Sequence, residues 1–443
     1  MLLRKTGRFW RNGLAVIDRW SKEIVLGNSY ILLVVMLLCG VLLCSCKKNG
    51  ALEELSENSS EKMLLKKDSE RRKDEEEQWE KGYELPIDNT EKEEAEVDCK
   101  KIMDLISDLY INAYKGSASN VVIPDQTIYR MIEKVKETRC PVTTNKAYFS
   151  MENHKKLEDF LNDSLAGKCG FIVTYEIHSD GGVGRKKYIF DGTYMYVLSA
   201  KVSWNDDDKP SMVYIVYNRI KEWRYTGKGW FCYKVCVPEP PEVTETVDGS
   251  CLIRVKPISE ENREISEKCV FGLGYQGNNL LCSDWDINCM ENLDYNGMYE
   301  YLYAMKYQEQ FHSENYPNGI PKDEFESLIM EYLPVTAEQI QKYAVFDERN
   351  QTYVWVRLGC LNYTPTFFGT AIPEVIDVKE NDDGTVILTV DAVCEMVLCD
   401  DAVITHMLTI RFLEDGSFQY LGNKILNDGI KNIPDYQYRI HAE

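Results

Sequence analysis

Carboxylates and aromatic side chains cluster in one short stretch of the chain: Asp284, Trp285, Asp286, Glu291, Asp294 and Tyr295. A glycoside hydrolase needs two carboxylates at a set separation, with a surface beside them that holds the sugar. The residue types therefore allow a glycan hydrolase that acts through Asp284, Asp286 or Glu291. Carboxylates are also common on any acidic surface, and the Gly- and Asn-rich segment around them positions side chains poorly. We predict a protein that binds without catalysis, and we assign no catalytic residue.

Two cysteines, Cys282 and Cys289, bracket Asp284 and Asp286. Twelve cysteines follow residue 46, an even number that permits disulfides outside the reducing cytoplasm. The sequence allows a Cys282–Cys289 bridge that would fix this loop, while buried free thiols are the alternative elsewhere in the chain. There is no C-x-x-C pair, and the five histidines lack the spacing of zinc ligands. We therefore expect no bound metal.

Gly272-Leu-Gly-Tyr-Gln-Gly277 matches the G-x-G-x-x-G pattern of dinucleotide-binding folds. That chemistry needs a helix directly after the glycines, whose N-terminus binds the pyrophosphate. Asn278 and Asn279 follow instead, with no apolar helical periodicity behind them. The pattern favours a flexible turn, and we predict no cofactor.

Aromatic residues are the other candidate binding groups, with 28 Tyr, 14 Phe and 8 Trp in the chain. Tyr194, Tyr196, Tyr214 and Tyr217 lie in strand-like segments and are expected to line the concave face of a curved sheet. Such a face would bind a glycan, a peptide or a protein partner. The alternative is ordinary core and cross-strand packing. His406 lies among aliphatic residues on one strand face and is expected to be a buried core histidine.

The elements that must position these residues follow from apolar periodicity. The spacing predicts an α+β chain of two tandem modules, each with helices first and a curved antiparallel meander after. Helices are expected at 99–110, 124–140, 153–166, 296–310, 323–333 and 337–343, the last with a capping box from Thr336 to Gln339. Strands are expected at 171–177, 194–204, 212–225, 230–237, 353–358, 374–379, 385–394, 403–413 and 417–426.

The chain divides by composition into five parts. Residues 1–46 are interpreted as a lipoprotein signal or signal anchor, and 47–97, rich in Glu, Lys and Asp, as a charged stalk. Residues 98–250 form the first predicted module, 251–290 a connector, and 291–443 the second module.

The N-terminal segment has the pattern of a lipoprotein signal. An apolar run at 31–43 follows a region 1–30 with six basic and two acidic residues, and it is closed by Ser45 and Cys46. We predict cleavage after Ser45 and lipidation of Cys46. The alternative is an uncleaved signal anchor over 24–45, a length that would span a membrane. Both interpretations tether the protein to the outer face of the cytoplasmic membrane.

Charge limits the partners of the chain. The formal net charge is −21, and residues 271–443 alone hold 10 basic and 28 acidic groups. Such a surface repels phosphate backbones, which argues against nucleic-acid binding.

Helices followed by a meander that closes on Asp415-Gly-Ser-Phe-Gln-Tyr420 resemble the cystatin-like, nuclear transport factor two-like architecture. The region 188–441, with Asp191-Gly-Thr-Tyr-Met-Tyr196 and Trp230-Phe-Cys-Tyr233, also resembles an uncharacterised family of lipoproteins in anaerobic Gram-positive bacteria. This resemblance implies a surface location and a fold, and it assigns no activity. We therefore expect a membrane-tethered extracellular lipoprotein that binds a protein or an envelope ligand. An envelope glycan hydrolase and an accessory subunit of an export or conjugation apparatus are the alternatives.

Overall fold

The computed structural model describes residues 78–116, 121–245, 247–394 and 400–440. The predicted signal, Cys46 and the stalk up to residue 77 lie outside the described residues. The described chain forms two compact units. Of the described residues, the first unit comprises those from 78 to 264 together with 391–394 and 400–403, and the second unit comprises 265–390 and 404–440. Both units combine helices with antiparallel strands, so the predicted α+β class is confirmed.

The first unit is built on a seven-stranded sheet in the order β1-β2-β3-β4-β5-β6-β7. Its strands are β1 Val142–Thr144, β2 Gly170–Ile177, β3 Val183–Phe190, β4 Met195–Trp204, β5 Pro210–Tyr225, β6 Trp230–Val235 and β7 Ser250–Arg254. Its helices are α1 Asn89–Ile111, α2 Asp125–Lys136 and α3 Lys155–Leu165. β1 pairs with β2 in parallel, and the remaining neighbours are antiparallel.

Helices cover both faces of this sheet. Helices α1 and α2 pack their apolar stripes on one face, against Leu198, Ala200 and Val202 of β4. Helix α3 packs Leu157 and Leu161 on part of the opposite face. Side chains alternate between faces along a strand, so each strand contributes to two separate cores.

Helix α1 begins at Asn89, inside the range 47–97 that composition assigns to the stalk. Asp88 caps it by accepting a 2.8 Å hydrogen bond from the Glu91 amide. The acidic residues that suggested a solvated stalk include Glu91, Glu94 and Asp98, which lie on one face of α1 at helical spacing. They bind Arg185 and Lys187 of β3, a strand about ninety positions later in the chain. Composition alone could not reveal partners at that separation.

The second unit contains a five-stranded sheet in the order β12-β13-β14-β15-β8 and a three-stranded sheet in the order β10-β11-β9. Its strands are β8 Trp285–Asp286, β9 Ile320–Pro321, β10 Phe346–Asp347, β11 Thr352–Tyr353, β12 Ile372–Glu380, β13 Val386–Val393, β14 Thr405–Phe412 and β15 Phe418–Ile425. Its helices are α5 Tyr295–Tyr307, α6 Lys322–Tyr332 and α7 Ala337–Tyr343, preceded by α4 Glu260–Cys269 at the boundary between the units.

Two features of this unit differ from the expectations. The segment 251–290, interpreted as a connector, contains most of β7, all of α4, and β8, which pairs with β15. The strand expected at 353–358 is only Thr352–Tyr353, because the Asn296 side chain donates to the Val354 and Val345 carbonyls and so replaces a longer ladder. The capping box of Thr336 and Gln339 is confirmed.

Candidate functional site

Five side chains form a recessed polar row on the sheet face of the first unit that α3 only partly covers. We name Glu176, His178, Lys186, Lys201 and Tyr214 the polar row. Glu176 of β2 pairs with Gly184 of β3, Gly184 pairs with Lys201 of β4, and Lys201 pairs with Tyr214 of β5. Directly paired residues share a sheet face, so these groups lie side by side across four strands.

Glu176 is the centre of the ion pairs in the row. Its Oε1 lies 3.5 Å from His178 Nδ1, and its Oε2 lies 3.8 Å from Lys186 Nζ. All three side chains are only 23–27% exposed. A Cβ on Gly184 would lie 3.0 Å from His178 Nε2, so the imidazole lies over this glycine. The missing side chain near the start of β3 therefore makes room for His178.

The environment sets the charge of each group. Burial disfavours the ionised form of Glu176. The charges of Lys186, His178 and Lys201 outweigh this effect and lower the pKa of the carboxyl group below its usual value. Burial disfavours the Lys186 ammonium, but the acidic groups around it, Tyr188 and Glu176 first, raise its pKa. Burial also lowers the pKa of His178 against the opposing effect of Glu176. At neutral pH Glu176 is therefore a carboxylate, Lys186 an ammonium and His178 a neutral imidazole.

Lys201 is the available cation of the row. Glu176 is already paired with Lys186, and Lys201 forms no ion pair within the part of the chain that the structure describes. Tyr214 beside it is 43% exposed. The row therefore has a net charge of about +1 on a protein whose formal net charge is −21. Its free donors, an ammonium and a phenol, suit the oxygen atoms of an anionic group.

The four strand tyrosines expected on one concave face are divided between two faces. Tyr214 lies in the polar row, whereas Tyr194, Tyr196 and Tyr217 lie on the face of α1. Tyr196 and Tyr217 contact Trp79 edge-on, with ring centroids about 6 Å apart. Tyr214 and Tyr217 are three residues apart in β5, and this odd spacing places them on opposite faces of the sheet.

The predicted carboxylate stretch has structural roles. Asp284 accepts from the Ile425 amide at 2.7 Å and pairs with Lys424, which holds the segment on β15. Asp286 accepts from the Asn288 amide at 2.7 Å. Glu291 is exposed. These contacts do not arrange two carboxylates around a sugar site, and the structure gives the hydrolase hypothesis no support.

The bridge allowed between Cys282 and Cys289 is not present. Cys282 is buried and points its thiol at the Asn278 carbonyl, with the sulfur 3.8 Å from the oxygen. Cys289 directs its thiol to Asp286 instead. Local hydrogen bonds therefore fix this loop without a covalent link.

The glycines of the G-x-G-x-x-G match let neighbouring side chains approach the backbone closely. A Cβ on Gly272 would lie 2.4 Å from Met305, and a Cβ on Gly277 would lie 2.4 Å from the Tyr301 hydroxyl. Gly277 also adopts φ +73°, which disfavours other residues. The segment is a turn without a following helix, as expected.

His406 is fully buried, as the strand pattern predicts. Its Nδ1 lies 2.5 Å from Asn423 Oδ1, and its Nε2 lies 2.8 Å from the Tyr275 hydroxyl. An amide oxygen only accepts, so Nδ1 carries the proton and Nε2 accepts from Tyr275. Burial lowers the pKa of His406 to about 4, despite the hydrogen bond to Asn423.

This histidine makes the stability of the second unit depend on pH. The unfolded chain binds a proton at His406 near pH 6.5 and the folded chain only near pH 4, so stability is complete above pH 6.5 and is lost as pH falls. We expect a loss of about 3 kcal/mol over that window. The free energy of unfolding against pH should be flatter in His406→Gln and unchanged in His312→Gln, which alters an exposed histidine. Equal pH dependence in wild type and His406→Gln would refute this.

The sequence of the chain was compared with known protein families. The model of a family of unknown function, DUF6070, matches residues 92–439. The chain belongs to this family. No curated protein and no solved structure matches it. The matched range includes the whole polar row and all three described sheets, so this site lies within the part that defines the family.

Sequence reasoning did not find the polar row apart from Tyr214. Glu176 and Lys201 alternate with apolar residues, and Lys186 lies in the basic run 185–187; both patterns predict solvent-exposed positions on a strand. One signal in the sequence could have found it. Lys186 and Lys201 lie on adjacent strands, and both share a sheet face with buried aromatic residues such as Tyr188.

Among the described helices, none combines the length and the apolar composition that a membrane span requires.

Proposed function

We propose that this protein is a surface lipoprotein of anaerobic Gram-positive bacteria with cystatin-like modules, tethered at Cys46, that binds an anionic envelope polymer without catalysis. The polar row is its binding site. The observation that carries the proposal is Lys201, a half-buried lysine without an ion-pair partner among the described residues, on the same sheet face as a second lysine.

Charge selects the ligand class. A half-buried cationic row on a strongly acidic protein attracts only the segment of a ligand that carries negative oxygens, while the rest of the surface repels a polyanion. A polymer with spaced phosphate or carboxylate groups meets this condition better than a densely charged nucleic acid. Tyr214 adds an exposed ring and a hydroxyl on which the uncharged part of the chain can pack. The carboxylate of Glu176 repels an anionic group that comes close to Lys186, and so keeps the bound group beside Lys201 and Tyr214.

The binding site is tested by substitution of one lysine. Full-length protein is titrated with polyglycerol phosphate and with neutral dextran, and Lys201→Gln is compared with Lys168→Gln. Lys168 is 66% exposed and pairs with Asp163 away from the row. We expect an affinity loss of about tenfold for Lys201→Gln and none for the control. Binding of dextran as tight as that of the polyanion, or equal affinity of the two variants, would contradict the proposal.

The anchor is tested separately. Cys46→Ala should leave an uncleaved precursor in the membrane that takes up no labelled fatty acid, because lipidation at this cysteine precedes cleavage after Ser45. Detection is by acyl labelling and mobility on a denaturing gel, with Cys44→Ala as the matched control. Acyl labelling and mature mobility in Cys46→Ala would contradict lipidation at Cys46. Full-length mobility without acyl labelling in the wild type as well as in the variant would favour the uncleaved signal anchor.

A further inference from the structure

A second candidate site lies in the second unit, beside the N-terminal end of α5. A cavity of about 270 Å³ opens there. One water molecule needs only roughly 10–15 Å³ by this kind of measure, so the cavity has room for a small organic ligand. We name it the tyrosine cavity, because its lining includes Tyr295, Tyr343 and Tyr438.

Polar groups form the larger part of the wall, and the rest consists of three aromatic rings and aliphatic side chains that include Ile440. The rings of Tyr295 and Tyr343 stack with centroids 6.1 Å apart and planes at 26°. Tyr438, from the C-terminal segment, is 41% exposed. Leu293 and Val345 complete the apolar part. Aromatic faces are electron-rich and attract cations that have lost part of their hydration.

Asp294 is the lining residue that carries a formal charge, within the part of the chain that the structure describes. It is 92% buried, since only 8% of its surface is exposed. Its Oδ1 accepts from the Gly297 amide at 2.8 Å, and its Oδ2 accepts from the Tyr436 hydroxyl at 2.7 Å. An ionised carboxylate has about four acceptor positions, so roughly two remain for a ligand.

The nearest cation does not satisfy this carboxylate. Arg439 uses its guanidinium on Glu300 at 2.5 Å and on the Gly277 and Val356 carbonyls. Burial accordingly raises the pKa of Asp294 despite the hydrogen bonds it receives and the charge of Arg439. A positive ligand would compensate the buried charge.

We propose that the tyrosine cavity binds a free small organic ammonium ion, with its charge beside Asp294 and its alkyl groups against the rings of Tyr295, Tyr343 and Tyr438. This site is independent of the polar row, which lies in the other unit. One effect opposes it: the N-terminal end of α5 carries a partial positive charge that repels cations and attracts anions. Whether the cavity prefers a positive, a neutral or a negative ligand therefore decides whether the proposal holds.

Three isosteric probes isolate that charge. Choline, 3,3-dimethyl-1-butanol and 3,3-dimethylbutanoate have nearly the same shape and are respectively positive, neutral and negative. Calorimetric titration of the full-length protein should show choline binding at least about tenfold more tightly than the alcohol, and the carboxylate weakest. Equal affinity for choline and the alcohol, tighter binding of the carboxylate, or no binding of choline would overturn the proposal.

Substitutions locate the site. Asp294→Asn keeps an acceptor for the Gly297 amide and should weaken choline binding at least about tenfold, whereas Asp382→Asn, at an exposed turn, should not. Tyr343→Leu should weaken choline but not the neutral alcohol, because it removes a ring and keeps an apolar wall. This variant carries the test if Asp294→Asn fails to fold. Unchanged choline affinity in both variants would overturn the assignment.

Discussion

Replacing Arg439 with methionine should lower the free energy of unfolding of the second unit by about 3 to 5 kcal/mol. The guanidinium is 96% buried, since only 4% of the residue is exposed. Its Nη1 binds Glu300 at 2.5 Å and its Nη2 binds the Gly277 carbonyl at 2.9 Å. Methionine fills a similar volume, so the loss measures the buried charge and its bonds. Burial already raises the pKa of Glu300, and without Arg439 this carboxylate loses its ion pair.

The matched control is Arg349→Met, at an exposed position of the same unit. We expect a change within about 0.5 kcal/mol there. Chemical denaturation followed by circular dichroism measures both. A loss below about 1 kcal/mol for Arg439→Met would show that the C-terminal segment does not hold the turn at Gly277 in place.

Replacing Asp98 with asparagine should destabilise the first unit by about 3 kcal/mol. Arg185 in β3 is fully buried, and Asp98 Oδ2 accepts from its Nε at 2.9 Å and from its Nη2 at 2.7 Å. Asparagine has nearly the same shape but no charge. Glu94, at 3.1 Å, is then the remaining anionic partner of the buried Arg185 guanidinium. The cost falls at the lower end of the usual range because Glu94 remains and Asp98 is 30% exposed.

Asp104→Asn is the matched control, because it makes the same substitution at an exposed position of the same helix. Its effect should be within about 0.5 kcal/mol. Glu94→Gln should fall between the two, since Glu94 makes one bond to Arg185 and one to Lys187. Equal losses for Asp98→Asn and Asp104→Asn would mean that the ion pairs do not attach α1 to the sheet.

The elements with a clear local period could be predicted from the sequence. Helix α2 has its buried residues at helical spacing, and β14 alternates buried and half-buried positions around His406. Both signals arise from the nearest neighbours in the chain. Helix α1 was only half predicted, because its first turns bind charges on β3 and carry few apolar residues. Helix α4 shows only two buried residues, too few to produce a period.

The candidate site could not be predicted for a related reason. The polar row exists only through the registers of β2 to β5, and a register is a property of paired strands. The division of Tyr214 and Tyr217 between two faces, in contrast, follows from their odd spacing of three residues within β5. The carboxylates from Asp284 to Glu291 were visible in the sequence, but their backbone partners on β15 were not.

Lysine footprinting tests the central claim most directly, because it reports where an envelope ligand contacts the protein. Full-length protein is acetylated briefly, with and without an isolated anionic cell-wall polymer, and each lysine is quantified by mass spectrometry. The account predicts that the polymer protects Lys201, and Lys186 to a smaller extent, while Lys168 and Lys209 react as before. Bound polymer that leaves Lys201 as reactive as in the free protein, with protection at other lysines, would contradict it.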